Sequence, residues 1–263
     1  MNRKFAMAHL TALNWRPPEA IYNCHLIGYD AIGLRIINPG FSGAQDYDLV
    51  KDRLLYKSTR NALLETGIVI SDIELAKIDD GLDVSAYEPA LEAAASLGAK
   101  NVTTSVWTKN LDFAKEQFIK LCDIAARFGM NVNLEFVTWS EIKGLCDARP
   151  FLAECKKTNA GILLDTLHFY RSRVDMKTLR SCPSDLFNVV HICDAPLEIP
   201  EKEEDLVYTG RCERDYPGEG AIPISDILSL MRKDTIYAIE LPNEKITQEI
   251  GAVEHARRCL VKT

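Results

Sequence analysis

At 263 residues, 47% of them hydrophobic, the chain is long enough for one large core, and α/β barrels commonly reach about 250 residues as a single domain. Its net charge of -7 and sequence pI near 5.4, with basic residues interspersed among acids, argue against a phosphate-backbone footprint and hence against a nucleic-acid partner. Only about six apolar-leaning residues follow the basic start before Thr11, too few for a signal-peptide core; no run approaches the roughly 18 apolar residues of a membrane span, so the expectation is a cytoplasmic protein.

Residues 5–10 read as a first strand. Pro17-Pro18-Glu19 opens a helix that runs to Leu26, with Pro in its first turn, and Gly28 closes it. Residues 29–36 form a second strand. A Gly/Pro-containing loop follows, then a helix over about 46–65 with apolar residues at Leu49, Leu54, Leu55, Leu63 and Leu64, ended by Thr66-Gly67. Strand three is 68–78, and a helix over 84–97 stops at Gly98. Strand four is 100–107, an amphipathic helix over 110–128 stops at Gly129, and strand five is 130–137. Helical pieces at 139–148 and 151–157 flank Pro150 and lead to strand six, 160–165. A short helical stretch at 176–179 precedes strand seven, 187–193. One long irregular segment, 194–221, is rich in charge, Pro and Gly. The chain ends with a helix over 224–232, strand eight at 236–241, and a closing helix over 247–260 with Arg257 and Arg258 near its C-terminus.

Strands and helices in strict alternation imply a parallel sheet, and eight such units in this length match an α/β fold of the (β/α)8 TIM barrel type, one domain over 1–263. The other arrangement, an open doubly wound sheet, lacks its GxGxxG fingerprint after the first strand. The eight cysteines form no CxxC pair or zinc-ribbon spacing and read as reduced, mostly apolar-facing side chains.

The active face of such a barrel is built at the C-terminal ends of the strands. Glu135 sits late in strand five, Asp165 at the end of strand six, His191 late in strand seven and Glu240 late in strand eight, each after an apolar run. Taken singly, each has an ordinary explanation: a strand-end carboxylate can cap a helix or pair with an Arg, and a lone His is usually a hydrogen-bonded core residue. Together they bring three carboxylates into one mouth, where mutual repulsion disfavours common ionisation unless a cation is present. A divalent metal resolves the conflict, Mn2+ or Mg2+ first, with Co2+ or Zn2+ also suited to three carboxylates and an imidazole.

The segments Asn133-Leu134-Glu135-Phe136, Leu164-Asp165-Thr166-Leu167-His168, Val190-His191-Ile192-Cys193-Asp194-Ala195 and Ile239-Glu240-Leu241-Pro242 resemble the corresponding strands of the xylose isomerase-like TIM-barrel superfamily, in its sugar phosphate isomerase/epimerase branch. The resemblance spans most of the chain in order and spacing. It implies that Glu135, Asp165, His191 and Glu240 bind one divalent metal, that Glu135 and Glu240 exchange the substrate proton, and that His168 binds substrate. The epimerases of that branch carry an Arg six residues after the strand-seven His, where this chain has Leu197. Arg211 and Arg214 are the candidate replacements, able to clamp a distal phosphate, carboxylate or hydroxyl; a solvated charged loop accounts for them equally well. Trp15 and Trp107, at the ends of strands one and four, are candidate walls for a sugar.

The activity so implied is isomerisation or epimerisation of a sugar or sugar phosphate by proton transfer through an enediolate that the metal stabilises. The partner is a small sugar or polyol, without nucleic acid or membrane, and a homo-oligomer stays open. The same chemistry ending in elimination gives an inosose or dehydroshikimate dehydratase as the alternative. Weaker alternatives are a C-glycoside-cleaving barrel subunit, an endonuclease IV-like repair enzyme and a non-catalytic binding module; five histidines are few for the multi-zinc cluster of the second.

Overall fold

A computed structural model describes residues 4–38 and 45–263. Eight parallel strands, β1 (Phe5–Met7), β2 (Ala31–Arg35), β3 (Val69–Glu74), β4 (Asn101–Thr104), β5 (Asn131–Glu135), β6 (Ala160–Asp165), β7 (Phe187–Ile192) and β8 (Ile236–Ile239), pair in sequence order, and β8 pairs back to β1 to close the barrel. Around them run α1 (Pro17–Ile27), α2 (Arg53–Thr66), α3 (Glu88–Ser96), α4 (Leu111–Arg127), α5 (Leu145–Cys155), α6 (Thr166–Arg171), α7 (Met176–Arg180), α8 (Glu203–Cys212), α9 (Ile224–Ser229), α10 (Glu244–Ile250) and α11 (Ala252–Lys262). The expected TIM barrel is therefore the observed one. No helix among the described residues is long and apolar enough to cross a membrane, and all eight cysteines are free thiols.

Local chemistry accounts for the boundaries, including those the pattern of the sequence misplaces. The helix expected from residue 46 begins at Arg53 because Asp52 caps it, accepting from the Leu55 N–H at 2.8 Å. Residues 1–3 of the basic start and residues 39–44 of the Gly/Pro-containing loop lie outside the described residues. Instead of a break at Pro150 there is one helix, α5, with Pro150 inside it, where a missing N–H forfeits one intrahelical bond. The closing helix is two helices, because Gly251 at φ +82° ends α10 in a conformation side-chain-bearing residues avoid. Between 194 and 221 the segment is not wholly irregular: its charged part, Glu203–Cys212, is helix α8.

Side chains alternate between the barrel lumen and the surrounding helices. Outward residues make the main core, for example Phe118 of α4 meeting Phe151 of α5 edge to face at 5.5 Å. Part of the lumen is polar and crossed by an asparagine chain. Asn188 donates to Asn133 Oδ1 at 2.8 Å, Asn133 to Asn101 Oδ1 at 3.3 Å, and Asn101 to the Ser71 carbonyl at 2.9 Å. Gly161 makes room for it, since a Cβ there would sit 2.3 Å from Asn188 Nδ2. At the N-terminal end of the strands a cavity of about 1130 Å3 opens between residues such as Phe5, Ala31, Ile70, Asn101 and Ile236. The titratable cluster lies at the other end.

Candidate metal centre

Glu135 is the last residue of β5, Asp165 the last of β6, His191 the fifth of β7, and Glu240 the first after β8. The barrel register sets Asp165 beside His191 and His191 beside Ala238, two residues before Glu240. One donor atom from each of the four lies within 4.8 Å of the others. Asp165, His191 and Glu240 are buried, and Glu135 keeps part of its surface open.

The electrostatics of this cluster are those of a site short of positive charge. Burial, and then the neighbouring Glu240 charge, push the Glu135 carboxyl well above the usual carboxylate range. Burial would disfavour a charged His191, but Glu240, Asp72 and Glu135 outweigh it and push the imidazole up to about 10. Its Nδ1 stands 3.4 Å from Glu240 Oε2, an ionic contact longer than a good hydrogen bond, and neither ring nitrogen has a hydrogen-bond partner although both are buried. A histidine with two unpartnered nitrogens facing three carboxylates suits a divalent cation, so the residues present fit the metal that the sequence implies.

Arg214 supplies the resident positive charge. Its Nη1 donates to Asp165 Oδ2 at 2.7 Å and its Nη2 contacts Glu240 Oε2 at 2.9 Å, with all three side chains buried. Although burial would raise the Asp165 carboxyl, the guanidinium more than offsets this and holds it well below its usual range. Asp165 is also the N-cap of α6, its Oδ1 accepting from the Leu167 N–H at 2.7 Å.

His168, three residues on, is buried one turn into α6. Burial pushes it down to about 3, against the pull of Asp165, so the ring is neutral. Its Nδ1 faces the Thr138 N–H at 3.4 Å and Thr138 Oγ1 at 3.2 Å, and Trp139 meets the ring edge to face at 4.8 Å. Accepting from that N–H makes Nε2 the protonated nitrogen. Gly210 of α8 lets Trp139 approach, since a Cβ there would lie 2.6 Å from its ring.

The remaining sequence candidates fall differently. Arg214 is not a solvated loop residue reaching for a distal group: its guanidinium is committed to Asp165 and Glu240 inside the cluster. Arg211 is an exposed residue of α8, its guanidinium pushed down by partial burial and by the neighbouring Arg35. Trp15 belongs to the hydrophobic core, and its carbonyl pairs with His9 Nε2 at 2.9 Å. Trp107 is half-buried, donating to Ser105 Oγ at 2.9 Å under the Lys77 ammonium.

Sequence reasoning missed the other half of the mouth. Arg35 ends β2 and Glu74 ends β3; they are partners in register and form a part-buried ion pair at 2.7 Å. The signal was the one that exposed Glu135, a charge closing an apolar run. Trp139 and Thr138, just past strand five, carried no comparable anomaly.

Among known proteins, the family model described as "xylose isomerase-like TIM barrel" matches residues 21–263. The inosose isomerase of Bacillus velezensis (strain DSM 23117 / BGSC 10A6 / LMG 26770 / FZB42) is 23% identical over 171 residues, 60% of this chain and 59% of that one, so the match spans less than two thirds of this curated relative. Among solved structures, the IolI protein with a bound zinc atom superposes with a TM-score of 0.80 at 18% identity, covering 98% of this chain and 96% of that one. The D-allulose 3-epimerase from Methylomonas sp. in complex with D-allulose does so at 0.70 and 18%, covering 98% and 95%. With the closed barrel and a family match over nearly its whole length, the chain belongs to the xylose isomerase-like TIM-barrel family.

Proposed function

We propose that this protein is a divalent-metal-dependent isomerase or epimerase of a sugar or polyol, acting by proton transfer beside a carbonyl. The observation that carries the reading is the cluster of Glu135, Asp165, His191 and Glu240, four donors from consecutive strands within 4.8 Å at the catalytic end of the barrel. Relatives bearing the names inosose isomerase and D-allulose 3-epimerase, and a zinc-binding neighbour, support it. Those four residues would hold the ion, Mn2+ or Mg2+ by the count of carboxylates and Zn2+ or Co2+ by the imidazole. When bound, it supplies Lewis-acid polarisation of a carbonyl oxygen.

The protein's own groups do the rest. Glu135 and Glu240 move the proton, one taking it from the carbon beside the carbonyl and the other returning one. Their surroundings differ, since Glu135 keeps part of its surface open whereas Glu240 is buried and tied to Arg214. Unequal environments for two carboxyl groups are how one site divides acid from base work. Neutral His168, held by Thr138, offers its Nε2–H to a substrate oxygen. Trp107, beyond β4, serves as a wall, and Arg211 on α8 offers a positive charge for a distal hydroxyl, carboxylate or phosphate.

The test is solvent-deuterium exchange. Protein loaded with Mn2+ is incubated in D2O with inososes, ketoses and ketose phosphates, and deuterium is expected at a carbon next to the carbonyl of at least one of them. Glu135→Gln and Glu240→Gln should each slow that exchange by about 100-fold or more, the usual contribution of general acid–base groups. Exchange unchanged in both variants, or none with any substrate, would contradict the reading.

A further inference from the structure

Arg214 touches two of the four donors through a single side chain, and its surroundings fix it there. Nε donates to the Gly210 carbonyl at 2.7 Å, and Nη1, besides Asp165, reaches the Glu240 carbonyl at 3.2 Å and Cys193 Sγ at 3.4 Å. Its backbone is clamped as firmly. The Arg214 N–H donates to the Pro242 carbonyl at 3.1 Å, and Asn243 Nδ2 donates to the Arg214 carbonyl at 3.0 Å. Antiparallel bridges flank it on both sides, Glu213 with Asn243 and Asp215 with Asp194. Asp194 in turn accepts from the N–H groups of Ala195, Gly218 and Ile222, each at 2.9 Å. A guanidinium restrained at so many points is a fixture of the site and does not swing out as a gate.

Its fork sets the distance between Asp165 and Glu240 by binding one oxygen of each. Each of those oxygens has a further lone pair for another partner. With its charge included, three ionised carboxylates and a neutral, ligating imidazole carry a net charge of −2, which a divalent ion neutralises.

We infer that Arg214 is a positioning residue of the metal centre: it orients Asp165 and Glu240 and matches the charge of the cluster to a divalent cation, and does not serve as a contact for the distal end of a substrate. This rests on the metal-dependent reading above. Groups that orient metal ligands change affinity by about 10- to 100-fold when removed.

The experiment is calorimetric titration of EDTA-stripped full-length protein with Mn2+ and with Zn2+, for wild type, Arg214→Met, Arg214→Lys and Gly161→Ala, each melted first to show that it is folded. Wild type is expected to bind one ion, Arg214→Met to bind about 10- to 100-fold more weakly, and Arg214→Lys, which keeps the charge without the fork, to recover part of the loss. Gly161→Ala perturbs the lumen below the site and should leave the affinity unchanged, which separates positioning from general loosening. If Arg214→Met does not fold, Arg214→Lys still decides, because losing the fork alone should weaken binding. Unchanged or tighter binding in the folded Arg214 variants, or an equal loss in Gly161→Ala, overturns the inference. No ion bound by wild type would contradict the metal reading and this inference with it, a result distinct from the others.

Discussion

His9 shows how a single buried residue ties the mouth of the barrel to pH. Its Nε2 donates to the Trp15 carbonyl and its Nδ1 accepts from the Arg35 N–H at 3.0 Å, so the neutral ring is the one the fold needs. Burial is the largest influence and lowers it from 6.5 to about 4, against the pull of Glu74. Because the folded-state value is depressed, the unfolded chain takes up the proton first, and stability contributed by neutral His9 is present above pH 6.5 and lost as pH falls from 6.5 to 4. Chemical denaturation of wild type and His9→Asn at the two ends of that window should show the variant losing less on acidification, by up to about 3 kcal/mol. Equal losses would mean that His9 does not carry the effect. Glu135, Asp165, His191 and Glu240 were legible in the sequence because each breaks an apolar run late in a strand. The role of Arg214 was not, since an arginine in a charged loop looks the same whether it is solvated or buried, and only the folded bridges to Asp194 and Asn243 bring it inward.

At the scale of elements, alternating strand and helix signals were enough to count the barrel units, because most strands lie in short stretches rich in apolar residues and most helices end at a Gly or begin at a capping side chain. Boundaries were less legible where two local signals compete. Residues 46–52 carry helical periodicity, yet Asp48 accepts from the N–H groups of Val50 and Lys51 and holds a turn there until Asp52 caps α2. The strands themselves are shorter than their apolar runs, as in β3, which stops at Glu74 where the run continues to Ile78. The packing between β6 and β7 gives a sharp test. Gly161→Ala would place a methyl within 2.3 Å of Asn188 Nδ2 and 3.0 Å of Asn133 Oδ1, breaking a buried amide chain for a loss of about 1–3 kcal/mol. A denaturation midpoint equal to wild type would show that the chain of asparagines yields without penalty.

Across the whole molecule, the two halves of the barrel mouth divide the labour. Strands β5 to β8 bring the four donors and the segment after α8 brings the arginine fixed between them, while β2 and β3 bring the Arg35 and Glu74 pair, which carries both signs of charge opposite them. The opposite, N-terminal end of the barrel has an open cavity of about 1130 Å3, yet the converging charges lie at the C-terminal end, where the parallel topology gathers one residue from each strand. Chain length, strand count and order made that gathering foreseeable. What could not be foreseen is the depth of burial, which takes Asp165, His191 and Glu240 out of water beside a half-buried Glu135. The most direct measurement is anomalous diffraction from crystals soaked in Zn2+, recorded at the zinc edge. The account predicts one strong peak among Glu135, Asp165, His191 and Glu240, absent in His191→Ala; no peak there, or a principal peak elsewhere on the barrel, would contradict it.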